Sequence, residues 1–167
     1  AVAVSGDVRR EAAPDCPQGV MVFGPGGRIA WEADDLIRPA GGAILLDFMY
    51  SVKTSYDKDE PVLSVTDADG RPVLRVTIGR VLFKVSRPPH EFAIDLYLNE
   101  AEGSWLNVAL SWERLADGRM YLRTAVNDRV YDSAMVPAFP DGPLSFLVGP
   151  ENVNVRQVAF CDRPVPL

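Results

Sequence analysis

The sequence predicts an all-β protein, built as a two-sheet antiparallel sandwich. Three observations point there. About a dozen short runs carry apolar residues at every second position, turn signals of Gly, Pro, Asn and Asp separate them, and no segment of any length has the apolar period of a helix.

At 167 residues the chain suits one domain with a sizeable core. Hydrophobic residues at 47% against 24% charged are those of a folded chain rather than a disordered one. The apolar run Ala43-Ile44-Leu45-Leu46 ends at Asp47, far short of the roughly 18 residues a membrane span needs. A formal net charge of -6 disfavours nucleic acid and anionic membrane surfaces, because phosphate binding needs a basic face and the arginines here cluster only as pairs. It suits neutral glycans, cationic partners or Ca2+.

Residues 1–15 are small and polar and show neither period, so they are expected to be a mobile arm or an edge segment, with the domain spanning 16–167. Gly19 to Phe23 is the first expected strand, the turn Gly24-Pro25-Gly26-Gly27 follows, and Arg28 to Trp31 is the second. Glu32 to Pro39 could make a helical turn. Ala43 to Val52 is a strand with Ile44, Leu46, Phe48 and Tyr50 on one face and Leu45, Asp47 and Met49 on the other. Asp67-Ala68-Asp69-Gly70, set between Val62–Thr66 and Pro72–Ile78, is a hairpin signal. Val81 to Val85 and Phe92 to Leu98 are strands separated by Arg87-Pro88-Pro89-His90.

Leu106, Val108, Leu110 and Trp112 then alternate with Asn107, Ala109 and Ser111, the pattern of a half-buried strand. Met120–Val126, Arg129–Asp132, Leu144–Val148 and Val153–Cys161 complete the set, with turns at Asn127-Asp128 and Asp141-Gly142-Pro143.

Gly103-x-Trp105-x-x-Val108-Ala109-Leu110, followed by Gly118-x-Met120-Tyr121-Leu122, resembles the pattern of the laminin G-like family. Gly42–Val52 is similar to that family's early strand, and Val155–Phe160 with Arg163-Pro164-Val165 to its closing strand and tail. The resemblance implies a concanavalin A-like jelly roll, with a concave sheet face and a rim of loops. It implies Ca2+ as the cofactor, held at the rim by carboxylates and carbonyls, and the acidic loop with Asp57, Asp59 and Glu60 offers such hard oxygen ligands. Asn127-Asp128-Arg129 stands where the family has an Asp-Gly turn, and Leu106-Asn107 where a His often follows the Trp.

Sugars stack on aromatic faces and hydrogen-bond through their edges, so a binding face needs rings and polar groups together. Tyr97, Asn99, Asn107, Tyr121 and Arg123 lie off the apolar phase of their strands and are the expected ligand-binding residues. Trp105 shares that phase but is expected to pack. Glucanases of the jelly-roll type place catalytic carboxylates along one strand. Here Glu91 and Asp95 are the nearest approach, and strand rise sets them about 13 Å apart, beyond the roughly 5–9.5 Å that glycosidic hydrolysis requires. His90 has no Ser or Cys partner at a suggestive spacing. The expected function is therefore a non-enzymatic binding module for carbohydrate, with a protein-interaction module as the alternative and a polysaccharide-degrading enzyme third.

Cys16 and Cys161 lie near opposite ends of the chain with no CxxC spacing, which argues against zinc. First and last strands often pair in such sandwiches, so a disulfide that clasps the termini is expected as readily as two free thiols. The start Ala-Val-Ala-Val, with the cysteine pair, leads to the expectation of a secreted or periplasmic chain.

Overall fold

The computed structural model describes residues 2–14, 16–33, 38–50, 60–78, 83–87, 90–94, 103–127, 129–149 and 153–166. The chain is a two-sheet antiparallel jelly-roll sandwich, with no helix among these residues. Its strands are β1 (Val2–Ser5), β2 (Val8–Ala13), β3 (Cys16–Phe23), β4 (Arg28–Ala33), β5 (Gly41–Tyr50), β6 (Glu60–Thr66) and β7 (Pro72–Ile78). They continue with β8 (Phe83–Arg87), β9 (His90–Ile94), β10 (Leu106–Arg114), β11 (Arg119–Val126), β12 (Arg129–Pro137), β13 (Leu144–Val148) and β14 (Val153–Cys161). The first sheet has the order β1-β4-β13-β6-β7-β8-β9 and the second β12-β11-β10-β5-β14-β3-β2.

Alternation decides which side of each strand meets the other sheet. In the second sheet Leu106, Val108, Leu110 and Trp112 of β10 are buried beside Ile44, Leu46 and Phe48 of β5 and Met120 and Leu122 of β11. In the first sheet Leu63, Val65, Leu74, Val76, Phe146 and Val148 face them across the core. The two layers touch through Phe160 of β14, whose ring centroid lies 5.9 Å from Trp31 and 5.1 Å from Phe146. A fully buried large side chain such as Phe48 or Phe146 contributes about 1.5–3 kcal/mol by leaving water.

Trp112 closes one end of the core. Its ring meets Phe139 edge-on at 5.4 Å, and its Nε1–H donates to the Arg38 carbonyl at 3.2 Å, so the indole is satisfied on both counts. Gly42 makes room for it: a Cβ at that position would sit 2.7 Å from Trp112 Cζ2.

The hairpin signal at Asp67–Gly70 is met by an Asx turn. Asp67 Oδ1 accepts from the backbone N–H of Asp69 at 3.0 Å and of Arg71 at 2.9 Å, joining β6 to β7. β12 runs five residues past the expected Asp132, because residues as far as Pro137 pair with β11. Residues 2–13 form two edge strands, β1 against β4 and β2 against β3. Arg28–Ala33 is a strand through the start of the expected helical turn, whose residues 34–37 lie outside the described set.

Of the two arrangements open to Cys16 and Cys161, the structure has free thiols and no disulfide between them. β3 does pair with β14, but through Val22 with Asn154 and Met21 with Val155, away from the strand ends that carry the cysteines. Cys16 instead sits opposite Ala13 in the β2–β3 hairpin, buried, with its Sγ 3.2 Å from the Gly19 carbonyl oxygen. Cys161 pairs with Ala43 of β5 and is exposed.

Candidate functional site: the outer face of the second sheet

The residues between the core positions of β10 and β11 project away from the sandwich. Register places Glu113 opposite Tyr121, Ser111 opposite Arg123 and Ala109 opposite Ala125, while across to β5 Asn107 stands opposite Asp47 and Ala109 opposite Leu45. The chain's last described residues fold back over one end of this face. There the Val165 N–H donates to Ser111 Oγ at 3.0 Å, and Pro164 lies 3.1 Å from where a Cβ on Gly41 would be. That cover explains why Ser111, although outside the core, is buried.

Tyr121 and Arg123 form one cluster on this face. The Arg123 guanidinium carbon lies 4.8 Å from the Tyr121 ring centroid, a cation–π pair. Ser133 of β12, directly opposite Arg123, completes it. A hydrogen bond from Ser133, and secondarily one from Arg123 with its charge, holds the Tyr121 phenol below its ordinary pKa. Among the described residues Arg123 makes no ion pair with a carboxylate.

Asp47, Arg156 and Trp105 form a second cluster. The β5–β14 register shifts between Val155 and Gln157, so Arg156 is an extra residue that swings over Asp47. Its Nε and Nη2 both lie 2.7 Å from Asp47 Oδ2, and its guanidinium carbon sits 4.6 Å from the Trp105 ring centroid. Asp47 is 4% exposed, and its Oδ1 is buried with no hydrogen-bond partner among the described residues.

Of the sequence-predicted ligand residues, Tyr121 and Arg123 come together, and Asn107 shares their face. It is separated from the Ser111–Arg123 row by four residues of strand, about 13 Å. Asn107 adjoins Asp47, and its backbone is pinned by exchange with Asn127: Asn107 N–H to Asn127 Oδ1 and Asn127 N–H to Asn107 O, both 2.9 Å. Tyr97 and Asn99 lie outside the described residues, as do Asp57 and Asp59 of the acidic loop, Asp95, and Pro88-Pro89. Glu60 opens β6 opposite Ile78, and His90 and Glu91 begin β9. No group of three or more potential metal ligands occurs among the described residues.

Trp105, expected to pack, is half-buried beneath Arg156 at the edge of this face. Sequence reasoning missed Asp47, Arg156 and Ser133. A signal existed for two of them: Asp47 is the sole charged residue in Ala43–Tyr50, and Arg156 the sole one in Val153–Phe160.

No family model matches the chain, and no curated protein matches it. Solved structures do. The binding domain of botulinum neurotoxin serotype D is similar with a TM-score of 0.70 and 10% identity, over 99% of this chain and 44% of that one. The binding domain of botulinum neurotoxin DC, solved in complex with SialylT, has a TM-score of 0.64 and 13% identity over 99% of this chain and 43% of that one. A carbohydrate esterase of the Shiga toxin-encoding bacteriophage phi24B has a TM-score of 0.63 and 9% identity, over 97% of this chain and 90% of that one. The chain spans less than half the length of the neurotoxin chains it matches. At these identities the likenesses establish the jelly-roll sandwich architecture of the chain.

Proposed function

We propose that this chain is a carbohydrate-binding module that takes its glycan on the outer face of the second sheet. The observation that carries the reading is the pairing of an aromatic ring with a guanidinium twice on one face, Tyr121 with Arg123 and Trp105 with Arg156. Rings offer a stacking surface to the apolar side of a sugar, and guanidinium, amide and hydroxyl groups hydrogen-bond to its edge. The complex of a neurotoxin binding domain of the same fold with SialylT supports the reading by analogy of fold alone. A laminin G-like ancestry, a Ca2+ ion held by Asp57, Asp59 and Glu60, and a secreted or periplasmic location belong to the same proposal. Binding to a glycan array with and without Ca2+ tests it: retention of one glycan class is expected, and a flat response under both conditions contradicts it.

A protein ligand is the second reading, and one observation favours it. Among the described residues β12 is the edge strand of the second sheet, and it exposes Val130 at 52% and Met135 at 38%, apolar side chains on an edge of the kind that accepts an added strand.

A further inference from the structure

We propose that Arg123, Tyr121 and Ser133 form a subsite for the carboxylate of an acidic sugar, a uronate or a sialate; this rests on the glycan reading and names the glycan's class. Three strand positions bring the groups together: Arg123 lies opposite Ser133, and Tyr121 precedes Arg123 by two on the same face of β11. The guanidinium is stacked on the phenol ring at 4.8 Å and has no carboxylate partner among the described residues. That contact holds the guanidinium in place, and those of its N–H groups not directed at the Tyr121 oxygen match the two oxygens of a carboxylate. Ser133 and Arg123 both hydrogen-bond toward Tyr121, and the resulting fall in its pKa makes the phenol a stronger donor to a ligand oxygen. The subsite is thus rich in donors.

Among the described residues one acidic group opposes it. Glu113 of β10 stands directly across the ladder from Tyr121, exposed and without an ion pair to Arg123. Removing that charge and removing the Arg123 charge therefore have opposite effects on a carboxylated ligand and little effect on a neutral one.

The test compares matched probes: oligogalacturonate against its methyl ester, and sialyllactose against lactose, titrated by calorimetry at low salt. The carboxylated member of one pair is expected to bind about tenfold more tightly. Arg123→Gln is expected to erase that preference and Glu113→Gln to increase it, and which pair responds tells uronate from sialate. Equal binding of charged and neutral members, unmoved by either substitution, overturns the subsite while leaving the glycan reading intact. If no oligosaccharide binds, the glycan reading fails, and the Arg123 Nε–H resonance still decides the subsite: movement with free galacturonate but not galactose supports it, and no movement overturns it.

Discussion

Arg156 directs both Nε and Nη2 at one oxygen of Asp47, each at 2.7 Å, and leaves the other oxygen buried without a donor among the described residues. The pair links β14 to β5 on the face proposed to bind glycan, and it fixes the guanidinium over Trp105. Arg156→Ala strands a buried carboxylate and is expected to cost about 3–5 kcal/mol in urea unfolding. In an Asp47→Asn background the same substitution is expected to cost far less, because the amide carries no charge. Equal losses in both backgrounds contradict a charge-based role for the pair.

The Tyr121 phenol is held below its ordinary pKa, chiefly by its hydrogen bond with Ser133. Ser133→Ala is expected to move its ionisation upward, seen as a later rise in phenolate absorbance than in the parent protein. Because the folded pKa is the depressed one, the linked stabilisation is present above the unfolded pKa and is lost as pH falls through the folded value. At neutral pH it is absent, so Ser133→Ala should leave neutral-pH stability unchanged through this route.

Gly42→Ala places a Cβ 2.7 Å from Trp112 Cζ2 and 3.0 Å from the Cys161 carbonyl oxygen. Backbone stands on one side and a packed indole on the other, so neither yields easily. The expected cost is about 1–3 kcal/mol, read as a lower melting temperature, with a displaced Trp112 fluorescence maximum. An unchanged melting temperature would show that the indole is not wedged as described.

The two thiols differ in access. Cys161 is expected to react with a thiol reagent in the native protein, and Cys16 only after unfolding. Failure of both to react in the unfolded, unreduced protein would reveal a disulfide instead.

What the sequence made legible follows from where a core face imposes a period. Leu106 to Trp112 alternates between core and outer face, so β10 and its neighbours were readable, and the Asp67–Gly70 turn has its own side-chain chemistry. β1 is not, because all four of its residues are exposed, so its pairing with β4 leaves no apolar period to read. Tyr121 and Arg123 could be placed together, since they share a strand and a phase. The Asp47–Arg156 contact spans 109 positions and depends on a one-residue bulge in β14, and neither long-range register nor a bulge leaves a local pattern. Cys16 and Cys161 show the same limit: adjacent strands were anticipated, but not that pairing would hold only at Val22 and Met21.

The most direct measurement is an amide and side-chain chemical-shift map of the protein titrated with the best-retained glycan from the array. The account predicts shifts concentrated on the outer face of β10, β11 and β14, with the Trp105 indole and Arg123 and Arg156 Nε–H groups among the largest. Shifts confined to the first sheet, or to the β6–β7 turn at Asp67–Gly70, with that face silent, would contradict it.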